Sequence, residues 1–123
     1  MTFRKILIVA VLATAGCSSS SSPSSSSAPA ATTTTSATVS IPSGARSLTT
    51  TAFGANPLVV AVGSTVTWTN NDSIAHDSVA DGGMWNSGIL SPGQSFAFKL
   101  ATAGTFTYKC TIHPNMVGTV TVQ

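Results

Sequence analysis

The stretch "GTFTYKCTIHPNMVGTVTVQ", residues 104–123, decides how this chain folds. Its first seven residues alternate. Phe106, Tyr108 and Cys110 share one face while Thr105, Thr107 and Lys109 take the other, the period of a half-buried β-strand. The closing residues alternate as well, with Val120 and Val122 facing inward. Between the two runs, Cys110, His113 and Met116 stand at Cys-x2-His-x2-Met spacing. By the same parity, the Cys110 thiol points inward at the end of a strand.

Further strands read in the same way. "STVTWTN" (64–70) sets Val66 and Trp68 against Thr65, Thr67 and Thr69. "QSFAFKL" (94–100) sets Phe96, Phe98 and Leu100 against Ser95, Ala97 and Lys99. "PLVVAV" (57–62) is a short unbroken apolar run, expected as a central strand. Turn signals at Gly63, Asn70, Asn71, Asp72, Gly82, Gly83, Pro92, Gly93 and Gly104 separate these pieces, and no helical period of useful length appears. Short strands at this spacing predict an all-β sandwich or barrel. Trp68 and Trp85 are expected in its core or rim, and Tyr108 in the core with its hydroxyl hydrogen-bonded. Asp72 and Asp81 are expected to serve turns.

The N-terminus has a different character. In "MTFRKILIVAVLATAGC" (1–17), Arg4 and Lys5 precede an apolar run, and Ala15 and Gly16 supply small residues before a cut, the pattern of a signal peptide over 1–16. The run is shorter than the roughly 20 residues of a permanent span. "ATAGC" resembles a bacterial lipoprotein signal, in which the residue after the cut carries lipid. Cys17 matches that residue, and Thr14 stands where such signals usually have Leu. The resemblance implies export to the periplasm or cell surface and a membrane anchor at Cys17, with plain secretion as the alternative. Residues 17–38 are Ser-, Thr- and Pro-rich and lack the apolar bulk to offset chain entropy. They read as a tether with a reach on the order of 25 Å. That leaves 39–123 as one folded domain.

The formal charge of +2 includes Arg4 and Lys5. Without them Arg46, Lys99 and Lys109 face Asp72, Asp77 and Asp81, so the domain is neutral and has no basic cluster for nucleic acid. The chain holds two cysteines. A Cys17–Cys110 disulfide is possible in an oxidising compartment. With lipid on Cys17, Cys110 is a lone exported thiol, which survives oxidation only if buried or liganded.

The candidate ligand set is His76, Cys110, His113 and Met116, and it uses both histidines of the chain. Two imidazoles and a thiolate in a plane with a weak axial thioether are the donors of blue-copper electron-transfer sites. Zinc favours another Cys, His or carboxylate over a thioether. An iron–sulfur cluster needs more cysteines, and c-type haem attachment needs Cys-x-x-Cys-His. "WTNNDSIAHDSV" brings His76 from elsewhere in the chain, after a polar turn and at the opening of the next strand.

On these residues, together with "WNSGILSPGQSFAFKLATAGTFTYKCTIHPNMVGTVTV" and the order of the two stretches, the chain resembles the cupredoxins, or blue copper proteins, of the amicyanin/plastocyanin type. The resemblance implies a Greek-key β-sandwich of about seven or eight strands with one copper ion at one end, cycling between Cu(I) and Cu(II). It implies copper ligands at His76, Cys110, His113 and axial Met116. The short loop between the last two is similar to that of amicyanin. The family often has Asn after the first ligand, its amide tying the two ligand loops together. Here Asp77 stands there, able to accept from Thr111. Asn115 replaces an aromatic common in amicyanin-like loops. The function implied is electron transfer between transient redox donor and acceptor proteins by a monomer that is not an enzyme. Ile74, Ala75, Met84, Ile112 and Pro114 are the expected docking patch around His113. Three alternatives remain open: copper delivery on the same fold, a lipid-anchored adhesion or structural module, and a Cys110–His113–Asp77 triad. Inward placement of Cys110 argues against the triad.

Overall fold

The computed structural model describes residues 36–123. The signal-peptide segment, Cys17 and most of the tether lie outside the described residues. Seven strands follow in order: β1 (Ser36–Ile41), β2 (Leu58–Val60), β3 (Ser64–Asn70), β4 (Val79–Ala80), β5 (Ser95–Leu100), β6 (Gly104–Lys109) and β7 (Val117–Val122). They form a three-stranded sheet, β1-β3-β5, and a four-stranded sheet, β2-β7-β6-β4. The chain changes sheet at every connection except β6 to β7. β1 runs parallel to β3 and β2 parallel to β7, while the other pairs are antiparallel. This is the all-β sandwich of the sequence reading.

Alternation decides which residues fill it. Along β3, Val66 and Trp68 are fully buried, and the register sets them opposite Phe98 and Phe96 on β5. From the other sheet come Tyr108, Val120 and Val122, all buried. Trp68 is the centre of the aromatic packing. Its ring lies 5.2 Å from Trp85 and meets Tyr108 edge-on at 5.7 Å, and Tyr108 in turn packs on Phe53 at 4.8 Å. A fully buried apolar side chain such as Phe53 or Val66 contributes about 1.5–3 kcal/mol relative to exposure.

Four details depart from or refine the sequence reading. β1 begins at Ser36, so it takes in three residues of the Ser/Thr-rich stretch, held by pairing with β3 and by burial of Val39 and Ile41. The 57–62 run is not a central strand. Only 58–60 are extended, at a sheet edge beside β7, and Val59 and Val62 are half exposed. An unbroken apolar run cannot reveal how many neighbours a strand will have. His76 does not open a strand either; it makes an isolated bridge with Leu90, ahead of β4. Finally, Tyr108 OH and Trp68 Nε1 are buried without a hydrogen-bond partner among the described residues.

Gly118 explains how the Tyr108 ring fits. The two residues are paired across β6 and β7, and a Cβ on Gly118 would lie 2.4 Å from Tyr108 Cζ. Gly118→Ala should therefore overpack the core and destabilise the protein by about 1–3 kcal/mol. Urea unfolding checks this. A midpoint equal to wild type would mean that the ring does not lie over the Gly118 backbone.

Candidate metal centre

Two loops at one end of the sandwich supply the donors. The first joins β6 to β7. The strand ladder ends at the Lys109–Val117 pair, and beyond it Cys110 N–H donates to Met116 O at 3.1 Å. Within the loop Met116 N–H donates to His113 O at 2.9 Å, closing a turn over residues 113–116. Pro114 occupies its second position, where a fixed φ near −65° is favourable, and Asn115 its third. The spacing of the three donors in sequence is thus the spacing of a strand end, the start of a turn and its finish.

The second loop carries His76. Asn70, fully buried at the end of β3, organises it. Its amide donates to Ile74 O at 2.7 Å and Leu90 O at 2.8 Å, and its Oδ1 accepts from Asp72 N–H at 2.9 Å. Leu90 in turn exchanges both backbone hydrogen bonds with His76, at 3.1 and 2.7 Å. The backbone of His76 is fixed at both its N–H and its C=O.

Between the loops, Cys110 Sγ lies 3.9 Å from His76 Nδ1 and 3.8 Å from His113 Nδ1, and the two Nδ1 atoms are 3.2 Å apart. A point in their plane lies about 2.1 Å from all three, the length of a metal–imidazole bond and slightly inside a metal–thiolate one. His76, Cys110 and Met116 are fully buried, and His113 is half-buried. Among the described residues this is the one group of three His, Cys or acidic side chains able to hold a metal.

The surroundings orient the donors. His76 Nε2–H donates to Asp72 Oδ2 at 2.9 Å, leaving the Nδ1 lone pair for the cluster. Asp72, read from sequence as a turn residue, is buried and also accepts from Ala45 N–H at 3.2 Å and Ser73 N–H at 2.7 Å. The signal that could have found it is a carboxylate four residues before a candidate ligand. Asp77 joins the two loops. Its Oδ1 accepts from Thr111 N–H at 2.6 Å, and its Oδ2 accepts a short bond from the Thr111 hydroxyl. Burial pushes the Cys110 thiol up from its ordinary value, and backbone N–H groups of Asp77, His113 and Ile112 pull it back.

Around this end, Ile74 and Ala75 are half-buried, Ile112 is 44% exposed and Pro114 is exposed. Met84 stands elsewhere. It lies in the turn between Ala80 and Trp85, which the β4–β6 register places alongside Tyr108 and Thr107, and it packs on the core. Ile89, 57% exposed beside the Leu90–His76 bridge, joins the rim in its place and was missed in the sequence.

Residues 39–123 match the copper binding proteins of the plastocyanin/azurin family. The chain belongs to that family. A plastocyanin from Scenedesmus fuscus is 36% identical over 84 residues, 58% of this chain and 86% of the relative. Amicyanin from Paracoccus denitrificans is 35% identical over 71 residues, 54% of each chain, so this cupredoxin spans about half of that relative. A purple cupredoxin from Nitrosopumilus maritimus superposes with a TM-score of 0.65 at 36% identity, covering 71% of this chain and 99% of the other. A Cu(I) form of an amicyanin mutant gives 0.60 at 27% identity, covering 72% and 82%. The cofactor of this cupredoxin is copper, and His76, Cys110, His113 and Met116 are positioned to form its site.

The hydrogen bond from His76 holds the Asp72 carboxyl at about 2, below its ordinary 3.8, against the opposing pull of burial. A lowered folded-state value adds stability that is present above the unfolded value and lost as pH falls through the folded one. Metal-free Asp72→Asn should therefore be less stable than wild type at neutral pH, with the gap closing between about pH 4 and pH 2. Thermal unfolding across that range checks it, and a gap independent of pH would contradict it.

Proposed function

We propose that this cupredoxin is a blue-copper electron carrier, exchanging single electrons with transient donor and acceptor proteins outside the cytoplasm. The observation that carries the reading is the Cys110–His76–His113 triangle, sized for one metal ion and enclosed beside Met116. Copper bound there supplies a one-electron couple, Cu(II)/Cu(I). The protein's part is to hold the donors still, so that little moves when the charge changes. Backbone bonds fix His76, Cys110 and Met116, and the Asp77–Thr111 bonds join the two loops. His113, the donor nearest solvent, is the route for the electron. The apolar rim of Ile74, Ala75, Ile89, Ile112 and Pro114 suits brief docking, because a small apolar patch binds weakly enough to release. Both histidines serve this one centre, leaving none for the second copper site of a copper enzyme.

The signal-like 1–16 segment, Cys17 and the Ser/Thr/Pro-rich stretch support a lipid-anchored location at the periplasmic or cell surface. No helix among the described residues is long and apolar enough to cross a membrane. The neutral domain suits docking without strong charge steering.

One equivalent of Cu(II) should give the protein an intense thiolate-to-copper band in the red, lost in Cys110→Ser. The band should bleach and return over repeated one-electron cycles while the copper resists a chelator. A folded protein with no band would sink the reading, and copper given up readily would favour delivery.

The Asp72 carboxylate behind His76 strengthens the imidazole as a donor and so favours Cu(II). Asp72→Asn should raise the reduction potential, by about 60 mV for each tenfold loss of preference for Cu(II). Voltammetry reads this directly, and an unchanged or lowered potential would deny Asp72 the role.

A further inference from the structure

Residues 44–49, which include a single 3-10 turn at Ala45–Ser47, lie outside both ligand loops yet touch each of them. Gly44 starts the segment at φ 76, a left-handed conformation that glycine adopts without strain. At this end Ala45 N–H donates to Asp72 Oδ2, the same oxygen that accepts from His76 Nε2. At the other end the carbonyls turn toward the β6–β7 loop. Asn115 Nδ2 donates to Arg46 O at 3.0 Å and to Leu48 O at 3.1 Å, and Val117 N–H donates to Thr49 O at 3.3 Å. Both amide protons of one exposed side chain are spent on two carbonyls nearly seventy residues away in sequence. A surface asparagine in a turn has water and its own backbone available as partners, so this arrangement is a specific one.

We propose that Asn115 is a positioning residue for the metal centre. It clamps the turn carrying His113 and Met116 onto residues 46–49, whose other end holds Asp72 against His76. The segment is therefore a strap that sets the separation of the two ligand loops from outside. It acts in parallel with the Asp77–Thr111 link between the loops. Asn115 stands between His113 and Met116, so a loosened clamp acts first on these two, the half-exposed imidazole and the thioether. The inference deepens the copper reading and rests on it only for its effect on copper, since the clamp itself is a property of the chain.

The test compares wild type with Asn115→Ala, which removes both donors, and Asn115→Asp, which keeps the shape and has none. Asn115 is exposed, so both variants should fold. Amide hydrogen exchange on the metal-free protein reads the clamp without copper. Exchange at Met116 and Val117 should be about tenfold faster in both variants, the shift expected when two neutral hydrogen bonds to a local opening are lost. In the copper-loaded protein, release of copper to a chelator should accelerate by a similar factor. Exchange within twofold of wild type in both variants would overturn the proposal. A wild type that shows faster exchange in its variants but never forms a thiolate–copper band would instead remove the copper reading and leave the clamp standing.

Discussion

The structure depends on one requirement: the sulfur of Cys110 must sit within 4 Å of two imidazoles, one of them 34 residues earlier in the chain. Three donors on one short loop are easy to gather, because a strand end and a turn already hold them. The distant histidine is the hard part. Its position is only as certain as the packing of one sheet on the other, because β3 leads to His76 in one sheet and β6 leads to Cys110 in the other. The aromatic cluster around Trp68 and Tyr108 supplies that certainty, since both residues sit on those two strands. A close-packed interior transmits position as well as stability, and changes of a single methylene are felt. The core and the metal centre are therefore one mechanical problem.

The strands that the sequence revealed are those where period-two alternation meets a one-sided core. β3, β5, β6 and β7 all show it, and their inward residues are the ones that pack. The edge position of β2 left no such trace, because Leu58, Val59 and Val60 read the same whether a strand has one neighbour or two. The ligand set was legible for a different reason. Cys, His and Met at fixed spacing restrict the chemistry whatever the fold, and a chain with only two histidines offers few choices. What remained hidden were contacts made across distance. Asn70, Asp72 and Asn115 are ordinary turn residues by type, and apart from the four-residue spacing of Asp72 before His76 nothing local says that Asp72 faces inward while Asp81 bonds Thr107 and Lys109 at the surface.

Burial of Cys110 answers the oxidation hazard that the proposed export would bring to this thiol. An enclosed sulfur is shielded from oxidants, and burial disfavours the reactive thiolate. The same burial makes metal binding a proton-releasing event, so affinity must fall as the solution becomes more acidic. The backbone N–H groups of Asp77, Ile112 and His113 soften this opposition, because each favours a negative sulfur once a cation is present to hold it.

Asp72 shows how a stability constraint becomes a redox one. A buried carboxylate is costly unless it is hydrogen-bonded and paired, and this one is satisfied by donors from three places in the chain: Ala45, Ser73 and His76. Turning the His76 ring would leave the charge short of a partner. Protonating Nδ1 instead of Nε2 would set a lone pair against a carboxylate oxygen. Folding therefore selects the rotamer and tautomer in which Nε2 carries the proton and Nδ1 presents its lone pair to Cys110 and His113. The imidazole is prepared for a metal before any metal arrives, and the energy that prepares it is the cost of leaving Asp72 unpaired.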